Sequence, residues 1–195
     1  MKSVLCMATM AVGTIAASSA IADDIKIGVF LGLTGPIESI VADMVPSAEL
    51  AIKEVNDSGM LLNGSTVTAV RGDTTCIDAA AATATAERLI TSDGVKAIVG
   101  GDCSGVTTAA LQNVAMPNGI VMISPSATSP ALSTVEDNGL FFRTAPSDAR
   151  QGEVVADILI GKGVKSIAIT FTNNDYGKGL ADSIETNFKK AGGTV

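Results

Sequence analysis

Small polar residues gather in five short segments, each of which follows a run of apolar residues. The segments are residues 33–36, 73–76, 101–105, 124–128 and 173–177. They are rich in glycine and in hydroxyl side chains, and they carry little formal charge. Hydroxyl and backbone N–H groups in such a set favour the binding of a carboxylate or a similar oxyanion. For single residues, the local alternatives are a helix cap at Ser104 and a turn at Thr128.

One of these segments resembles a catalytic motif. Residues 101–105 read Gly-Asp-Cys-Ser-Gly, which matches the G-x-C-x-G form of a nucleophile elbow between a strand and a helix. A cysteine nucleophile of this kind needs a general base, and the sequence contains 0 His. We therefore predict that the protein is not an enzyme. An exported hydrolase that uses Cys103 is the alternative.

Motifs for cofactors and metals do not occur in the sequence. Gly28, Gly32 and Gly35 have the wrong spacing for the dinucleotide motif G-x-G-x-x-G, and no G-x-x-x-x-G-K-[ST] segment exists. Without histidine, scattered acids do not form a transition-metal cluster. Most of these acids are interpreted as solvated loop residues or helix caps: Asp73, Asp78, Asp93 and Asp102. We predict no cofactor and no metal.

The elements that must position the polar segments alternate along the chain. Runs of β-branched residues predict strands at residues 25–30, 66–71, 95–100, 119–124, 140–143 and 166–171. Apolar residues at helical spacing predict helices at about residues 38–56, 78–90, 106–114, 148–160 and 179–190. Pro46 either kinks the first helix or lies in the first turn of a shorter one. The alternation predicts an α/β fold, a doubly wound parallel sheet with helices on both faces.

The N-terminus has the pattern of a secretory signal peptide. Lys2 precedes an apolar run, and Ala20-Ile21-Ala22 forms an A-x-A cleavage site just before two acidic residues. The apolar run is too short to span a bilayer. We predict that residues 1–22 are removed and that the mature protein is periplasmic.

Charge and cysteine usage narrow the functional class. The net charge of -7 becomes -8 when Lys2 leaves with the signal, and such an acidic protein lacks the basic face that nucleic acid requires. Of the 3 Cys, the mature part keeps Cys76 and Cys103. A pair of cysteines in an exported protein favours a disulfide, and two buried free thiols are the alternative.

A boundary between two lobes is predicted near residues 144–147, where a strand gives way to turn residues and a new βαβ series begins. The first ligand-binding lobe would then span residues 23–145. Residues 146–195 would begin a second lobe, and the sequence Thr194-Val195 resembles the start of another strand. We therefore expect the second lobe to be incomplete.

Several segments together resemble a known family, the type I periplasmic binding proteins of the branched-chain amino acid (Leu/Ile/Val) ABC importers. The similarity covers essentially residues 24–195 and is specific in the order and spacing of its segments. The segments are Thr34-Gly35-Pro36, the run 48–56, Asp73 followed by Cys76, Cys103-Ser104, the run 122–128, Phe142-Arg143-Thr144 and the run 175–179.

The resemblance implies a solute-binding receptor whose two lobes close on an amino acid or a similar small carboxylate. It places Cys76 and Cys103 at the disulfide of the first lobe. It also implies ligand contacts through hydroxyl and backbone groups at Cys103, Ser104, Ser126, Ala127 and Thr128, and through an aromatic side chain at Tyr176. ABC permease subunits in the inner membrane would be the partners. An extracytoplasmic sensor domain for amides or aromatic acids is the runner-up.

Overall fold

The computed structural model describes residues 22–195, so the predicted signal peptide lies outside the described residues except for Ala22. The strands are β1 (Asp24–Leu31), β2 (Thr66–Asp73), β3 (Ala97–Gly100), β4 (Val121–Ser124) and β5 (Phe141–Arg143). The helices are α1 (Glu38–Val41), α2 (Met44–Asp57), α3 (Ala79–Glu87), α4 (Ser104–Ala110), α5 (Asp148–Gly161) and α6 (Asp175–Lys190). None of the helices in this range is long and apolar enough to cross a bilayer.

The five strands form one parallel sheet in the order β2-β1-β3-β4-β5. The chain winds outward in both directions from β1, so the fold is doubly wound as predicted. In this strand order the winding reverses between β1 and β3. Loops that leave the carboxyl ends of those two strands diverge, and the crevice between them is the usual ligand position in such sheets.

Helices cover both faces of the sheet, because β1 alternates its side chains between two apolar clusters. Phe30 packs with α3, α4 and Met122 on one face. Val29 and Leu31 pack with Val41 and Val45 of α1 and α2 on the other. Both clusters are almost fully closed to solvent, so the sheet is a rigid base for the loops at its edge.

Helix boundaries differ from the predicted ones at several positions. The first predicted helix is two helices, and Pro46 lies in the first turn of α2, where its missing N–H costs no hydrogen bond. α3 and α4 each continue into a wider π-helical turn, at Arg88–Ser92 and at Leu111–Ala115. α4 and α6 begin two to four residues earlier than the apolar spacing indicated, because polar residues fill their first turns.

The prediction of a regular strand at residues 166–171 is wrong. Only Ser166 pairs, through an isolated parallel bridge to Thr194. The remaining residues of this apolar run have no strand beside them in the described chain, and without a neighbour a run of β-branched residues does not form a ladder. The bridge does confirm that Thr194 takes a strand-like position. α5 and α6 pack on each other beside it.

The predicted disulfide is confirmed. Cys76 and Cys103 are bonded, with their Cα atoms 5.2 Å apart. The bond joins the loop after β2 to the loop after β3. Thr75 and Cys76 adopt positive φ angles, 55° and 66°, as the chain turns toward it.

Candidate functional site

The predicted polar segments meet at one edge of the sheet, because parallel strands present their carboxyl ends on the same side. The loops after β1, β2, β3 and β4 contact one another there through polar side chains. The edge includes the reversal of winding between β1 and β3. This is the position in the fold where a ligand is expected.

Asp102 lies at the centre of these loops and is only 4% exposed. Its Oδ1 accepts hydrogen bonds from Thr74 Oγ1 and from the Cys103 N–H, both at 2.9 Å, and its Oδ2 accepts one from the Gly32 N–H. The interpretation of Asp102 as a solvated loop residue or cap is therefore wrong. Its carboxylate is buried because three donors from three different loops converge on it. Asp78 does cap a helix, accepting from the N–H groups of Ala80 and Ala81.

Ser104 joins α4 to the loop after β4. Its side chain is buried, and its hydroxyl oxygen accepts a 3.1 Å hydrogen bond from the Ser129 N–H. Cys103 occupies the N-cap position of α4 and Ser104 is the first helical residue, so the alternative of a helix cap at Ser104 is wrong. In this loop Ser126 Oγ donates to the backbone carbonyl of Asp102 at 3.1 Å.

The loop after β4 also has an internal support that the sequence prediction missed. Ser124 Oγ donates to the carbonyl oxygen of Gly101 and accepts a hydrogen bond from the Ala127 N–H at 2.9 Å. Arg143 Nη1 then donates to two carbonyl oxygens of this loop, those of Ala127 at 3.1 Å and Ser129 at 2.9 Å. The backbone around Ala127, which is fully buried, is thereby fixed from both sides.

Thr128 is linked to the first residue of α5 by a reciprocal pair of hydrogen bonds. Its hydroxyl donates to Asp148 Oδ2 at 2.8 Å, and its carbonyl accepts from the Asp148 N–H at 2.9 Å. Thr128 is therefore more than a turn residue. Because its single hydroxyl proton is committed to the carboxylate, Thr128 Oγ1 presents only lone pairs to any further partner.

Asp148 is a buried acid, 1% exposed, and it too was missed by sequence prediction. Burial raises the pKa of its carboxyl group above the usual range, against the hydrogen bond from Thr128 and the positive charge of Arg143. Burial likewise lowers the pKa of Arg143, which the charge of Asp148 partly offsets. The sequence signal that could have identified Asp148 is an acid in the first turn of α5 that directly follows the cap Ser147.

Asp73 lies at the same edge, but the pKa of its carboxyl group is shifted in the opposite direction from that of Asp148. Burial alone would raise the pKa of its carboxyl group, but hydrogen bonds outweigh it and hold the pKa below its usual value. The Thr34 hydroxyl donates at 2.6 Å and the Thr75 N–H at 2.8 Å. The carboxylate thus ties the loop after β1 to the loop after β2.

Cys103 and Tyr176 have different surroundings from the hydroxyl residues. The Cys103 sulfur is bonded to Cys76, so it is not a free thiol nucleophile for the nucleophile-elbow alternative. Tyr176 lies in the first turn of α6 and is 44% exposed. Within residues 22–195, no hydrogen bond joins it to the other predicted ligand residues. Its neighbour Asp175 places a carboxylate oxygen 3.5 Å from where a Cβ on Gly105 would lie, so α6 starts against the start of α4.

Two cavities lie near this edge. One, of about 330 Å³, is formed by Thr128, Asp148 and the first two turns of α5. A larger one lies between α6 and the turn at Pro130–Ser133, outside the predicted ligand residues. Among the described residues, no group of three or more Asp, Glu, Cys or His side chains is arranged to hold a metal ion.

Comparison with known proteins agrees with this architecture. A family model described as "Periplasmic binding protein" matches residues 24–195. The chain belongs to the periplasmic binding protein family. Its members are extracytoplasmic solute-binding receptors, and the resemblance noted in the sequence is confirmed.

Individual relatives of this periplasmic binding protein are named for branched-chain amino acids. A Leu/Ile/Val-binding protein of Citrobacter freundii is 36% identical over 177 residues, covering 90% of this chain and 47% of that protein. A branched-chain amino acid transporter substrate-binding protein, LivJ from Streptococcus pneumoniae, was solved with isoleucine. It is 30% identical with a TM-score of 0.76, covering 89% of this chain and 48% of that one. The chain thus spans about half the length of the relatives it matches.

A third protein bears on the aromatic-acid alternative. A solute-binding protein of an ABC transporter from R. palustris, solved with 4-hydroxybenzoate, is 22% identical with a TM-score of 0.75. The match covers 89% of this chain and 45% of the R. palustris protein. At this identity the similarity shows a common fold alone, so amino acid receptors are the better supported comparison.

Proposed function

We propose that this chain is the ligand-binding first lobe, and the start of the second, of an amino acid receptor that serves an ABC importer. The single observation that carries the proposal is the convergence of Ser104, Ser126 and Thr128 at the carboxyl edge of the sheet. Relatives named for binding leucine, isoleucine and valine support a branched-chain amino acid as the solute.

The chemistry of these residues supports an orientation for the ligand. The N–H groups in the first turn of α4, beginning at Ser104, have no partners within the helix and favour the ligand carboxylate. Thr128 Oγ1 offers lone pairs, because Asp148 takes its proton, and lone pairs suit the ligand ammonium. Ser126 and Ala127 would contribute backbone groups to the same ligand. A zwitterion therefore fits this edge better than an acid without an amino group.

Two lobes are needed for tight binding in this scheme. In this proposal a boundary at residues 144–147 lies between the five strands and the α5–α6 pair, and Tyr176 belongs to the part that would close over the ligand. Closure shifts the population toward the closed state by the extra contacts made there. Because the chain spans about half the length of the relatives it matches, we expect residues 23–195 alone to bind the solute weakly or not at all.

Export is the other part of the proposal. We expect cleavage after Ala22, periplasmic release and delivery of the solute to permease subunits of the inner membrane. The intact mass of the exported protein tests the first step, since it should correspond to a chain that starts at Asp23. A mass that corresponds to an exported chain starting at Met1 or Lys2 would contradict cleavage after Ala22.

The solute is tested by thermal unfolding of the complete protein that carries this sequence, stripped of bound solute by unfolding and refolding. The ligands are the common amino acids, leucinamide, benzoate and 4-hydroxybenzoate. A ligand at about 100 times its Kd adds about 2.7 kcal/mol to the free energy of unfolding, which raises Tm measurably. We expect shifts for leucine, isoleucine or valine. Shifts confined to benzoate and 4-hydroxybenzoate would favour the aromatic-acid receptor instead.

A further inference from the structure

Asp102 is a buried carboxylate that the proposed ligand contacts do not use. It stands where the winding of the sheet reverses, directly after β3, and it is 4% exposed. An ionised carboxylate offers only acceptor sites. Here each of its two oxygens is occupied: Oδ2 by the Gly32 N–H, and Oδ1 by Thr74 Oγ1 and the Cys103 N–H.

These donors belong to different loops. Gly32 follows β1, Thr74 follows β2 and Cys103 precedes α4. The backbone carbonyl of Asp102 adds a fourth loop, because it accepts a hydrogen bond from Ser126 Oγ after β4. One residue thus joins all four loops that form the candidate site.

The disulfide does not duplicate this arrangement. The bond between Cys76 and Cys103 joins only the loops after β2 and β3. Thr74 strengthens the same connection, since its hydroxyl donates to Asp102 Oδ1 at 2.9 Å and its oxygen accepts from the Cys76 N–H at 3.2 Å. Between β3 and β1, by contrast, the loops are held through the carboxylate of Asp102 and Gly32.

We propose that Asp102 is a positioning residue for the ligand site: its carboxylate fixes the backbone at Cys103 and Ser104, on which recognition of the ligand carboxylate depends. The inference rests on the proposed function.

The substitution Asp102→Asn tests the role of the carboxylate well, because an amide of the same shape has one acceptor oxygen and an NH2 group. In either orientation, at least one of the three converging donors faces that NH2 group and loses its partner.

The experiment measures the affinity of the complete protein for L-leucine and for L-leucinamide, which lacks the carboxylate, by calorimetry. In Asp102→Asn we expect leucine affinity to fall at least about 10-fold, because the backbone at Cys103 and Ser104 is no longer held in position to hydrogen-bond the ligand carboxylate. We also expect the preference for leucine over leucinamide to shrink, because the disturbed backbone is the part that meets the carboxylate. Asp93→Asn is the matched control, since Asp93 precedes β3 at the opposite edge and pairs with Arg88.

Three results would overturn the proposal. One is unchanged leucine affinity in folded Asp102→Asn. Another is equal weakening of both ligands, which a purely structural role would produce. The third is a wild-type protein that binds leucine and leucinamide equally, because the carboxylate would then not be recognised at this edge.

A second pair of variants keeps the test decisive if Asp102→Asn does not fold. Thr74 is fully buried, and Thr74→Val replaces its hydroxyl by a methyl group of similar size. Thr74→Val should reduce the preference for leucine over leucinamide, and Thr74→Ser, which keeps the hydroxyl, should restore it. Identical behaviour of the two variants would contradict the role of the hydrogen bond to Asp102.

Hydrogen exchange separates this inference from the proposed function. Without any ligand, the Gly32 amide or the Cys103 amide, whichever faces the new NH2 group, should exchange at least about 10-fold faster in Asp102→Asn than in the wild type, since its hydrogen bond is lost. If the wild type binds no leucine, the proposed function fails, but faster exchange still supports Asp102 as the residue that holds the loops. Unchanged exchange at both Gly32 and Cys103 would refute it.

Discussion

At the scale of single residues, Thr128 and Asp148 determine which ligand groups could hydrogen-bond to the candidate site. Thr128 Oγ1 has one proton, and the Asp148 carboxylate takes it at 2.8 Å. The hydroxyl oxygen therefore acts as an acceptor toward a ligand. An ammonium group is a strong partner for it, whereas a second carboxylate would compete for the single proton.

Replacing Thr128 tests this arrangement. We expect Thr128→Val to weaken L-leucine binding about 10-fold to 100-fold, the range for losing a hydrogen bond to a charged group. Thr128→Ser keeps the hydroxyl and should remain within a few-fold of the wild type. Calorimetry on the complete protein measures both. Equal affinities for the Val and Ser variants would show that the hydroxyl does not contact the ligand.

Two acids at this edge should give opposite pH dependences of stability. The folded-state pKa of Asp148 is raised, so the folded state binds its proton more readily than the unfolded state does. Between the unfolded value of about 4 and the raised pKa, falling pH stabilises the wild type relative to Asp148→Asn. The pKa of Asp73 is lowered, so its stabilisation is present above the unfolded value and is lost as the pH falls through the folded one.

Urea unfolding of the wild type, Asp148→Asn and Asp73→Asn between pH 7 and pH 3 measures these differences. The free energy of unfolding of the wild type should rise relative to Asp148→Asn and fall relative to Asp73→Asn as the pH decreases. The same sign for both comparisons would mean that the two carboxyl groups do not have the environments described here.

The sequence indicated the hydroxyl residues of the candidate site, whose contact with a ligand stays a prediction, but it did not indicate the buried acids. Ser104, Ser126 and Thr128 were identifiable because they follow predicted strands. Asp102 and Asp148 were not, since nothing in a single sequence shows that donors from other loops will surround a carboxylate. Burial of a charge depends on such partners, which are distant along the chain.

At the scale of elements, the contact between α5 and α6 depends on a glycine. A Cβ on Gly152 of α5 would lie 2.1 Å from Ser183 Oγ and 2.7 Å from the Ser183 carbonyl carbon. Backbone cannot yield as a flexible side chain can, so the two helices could not keep this separation. Ser183 Oγ also donates to the Ala149 carbonyl at 3.2 Å, which adds to the contact.

Gly152→Ala should therefore destabilise the protein by about 1–3 kcal/mol, the usual cost of overpacking, although alanine is the better helix former. Gly161→Ala is the control in the same helix, because a Cβ there meets nothing within 4 Å. Urea unfolding of both variants measures the difference. A Gly152→Ala protein as stable as Gly161→Ala would contradict the close packing of α5 on α6.

Local patterns predicted the five strands of the sheet well and the run at residues 166–171 poorly. The sheet strands have neighbours on the described chain, so their β-branched residues find partners. Ser166 has only Thr194, and the residues after it have no paired neighbour among residues 22–195. Strand propensity alone does not decide between these cases, because pairing is a property of the sheet.

At the scale of the whole molecule, residues 22–195 form a five-stranded parallel sheet with helices on both faces, joined to the packed pair α5 and α6. The order β2-β1-β3-β4-β5 brings the loops after β1 and β3 to the same crevice, where the Asp102 carboxylate joins them through the Gly32 N–H. The disulfide adds the loop after β2. The alternation of strands and helices was sufficient to predict this class of fold. It could not supply the order of the strands, which follows from contacts between distant segments.

Isothermal titration of L-leucine into the complete mature protein, stripped of bound solute by unfolding and refolding, tests the central claim most directly. The account predicts saturable one-to-one binding by the wild type and a much weaker response from Thr128→Val. A folded protein that shows no heat of binding with leucine, isoleucine or valine would contradict the proposal that this edge of the sheet captures a branched-chain amino acid.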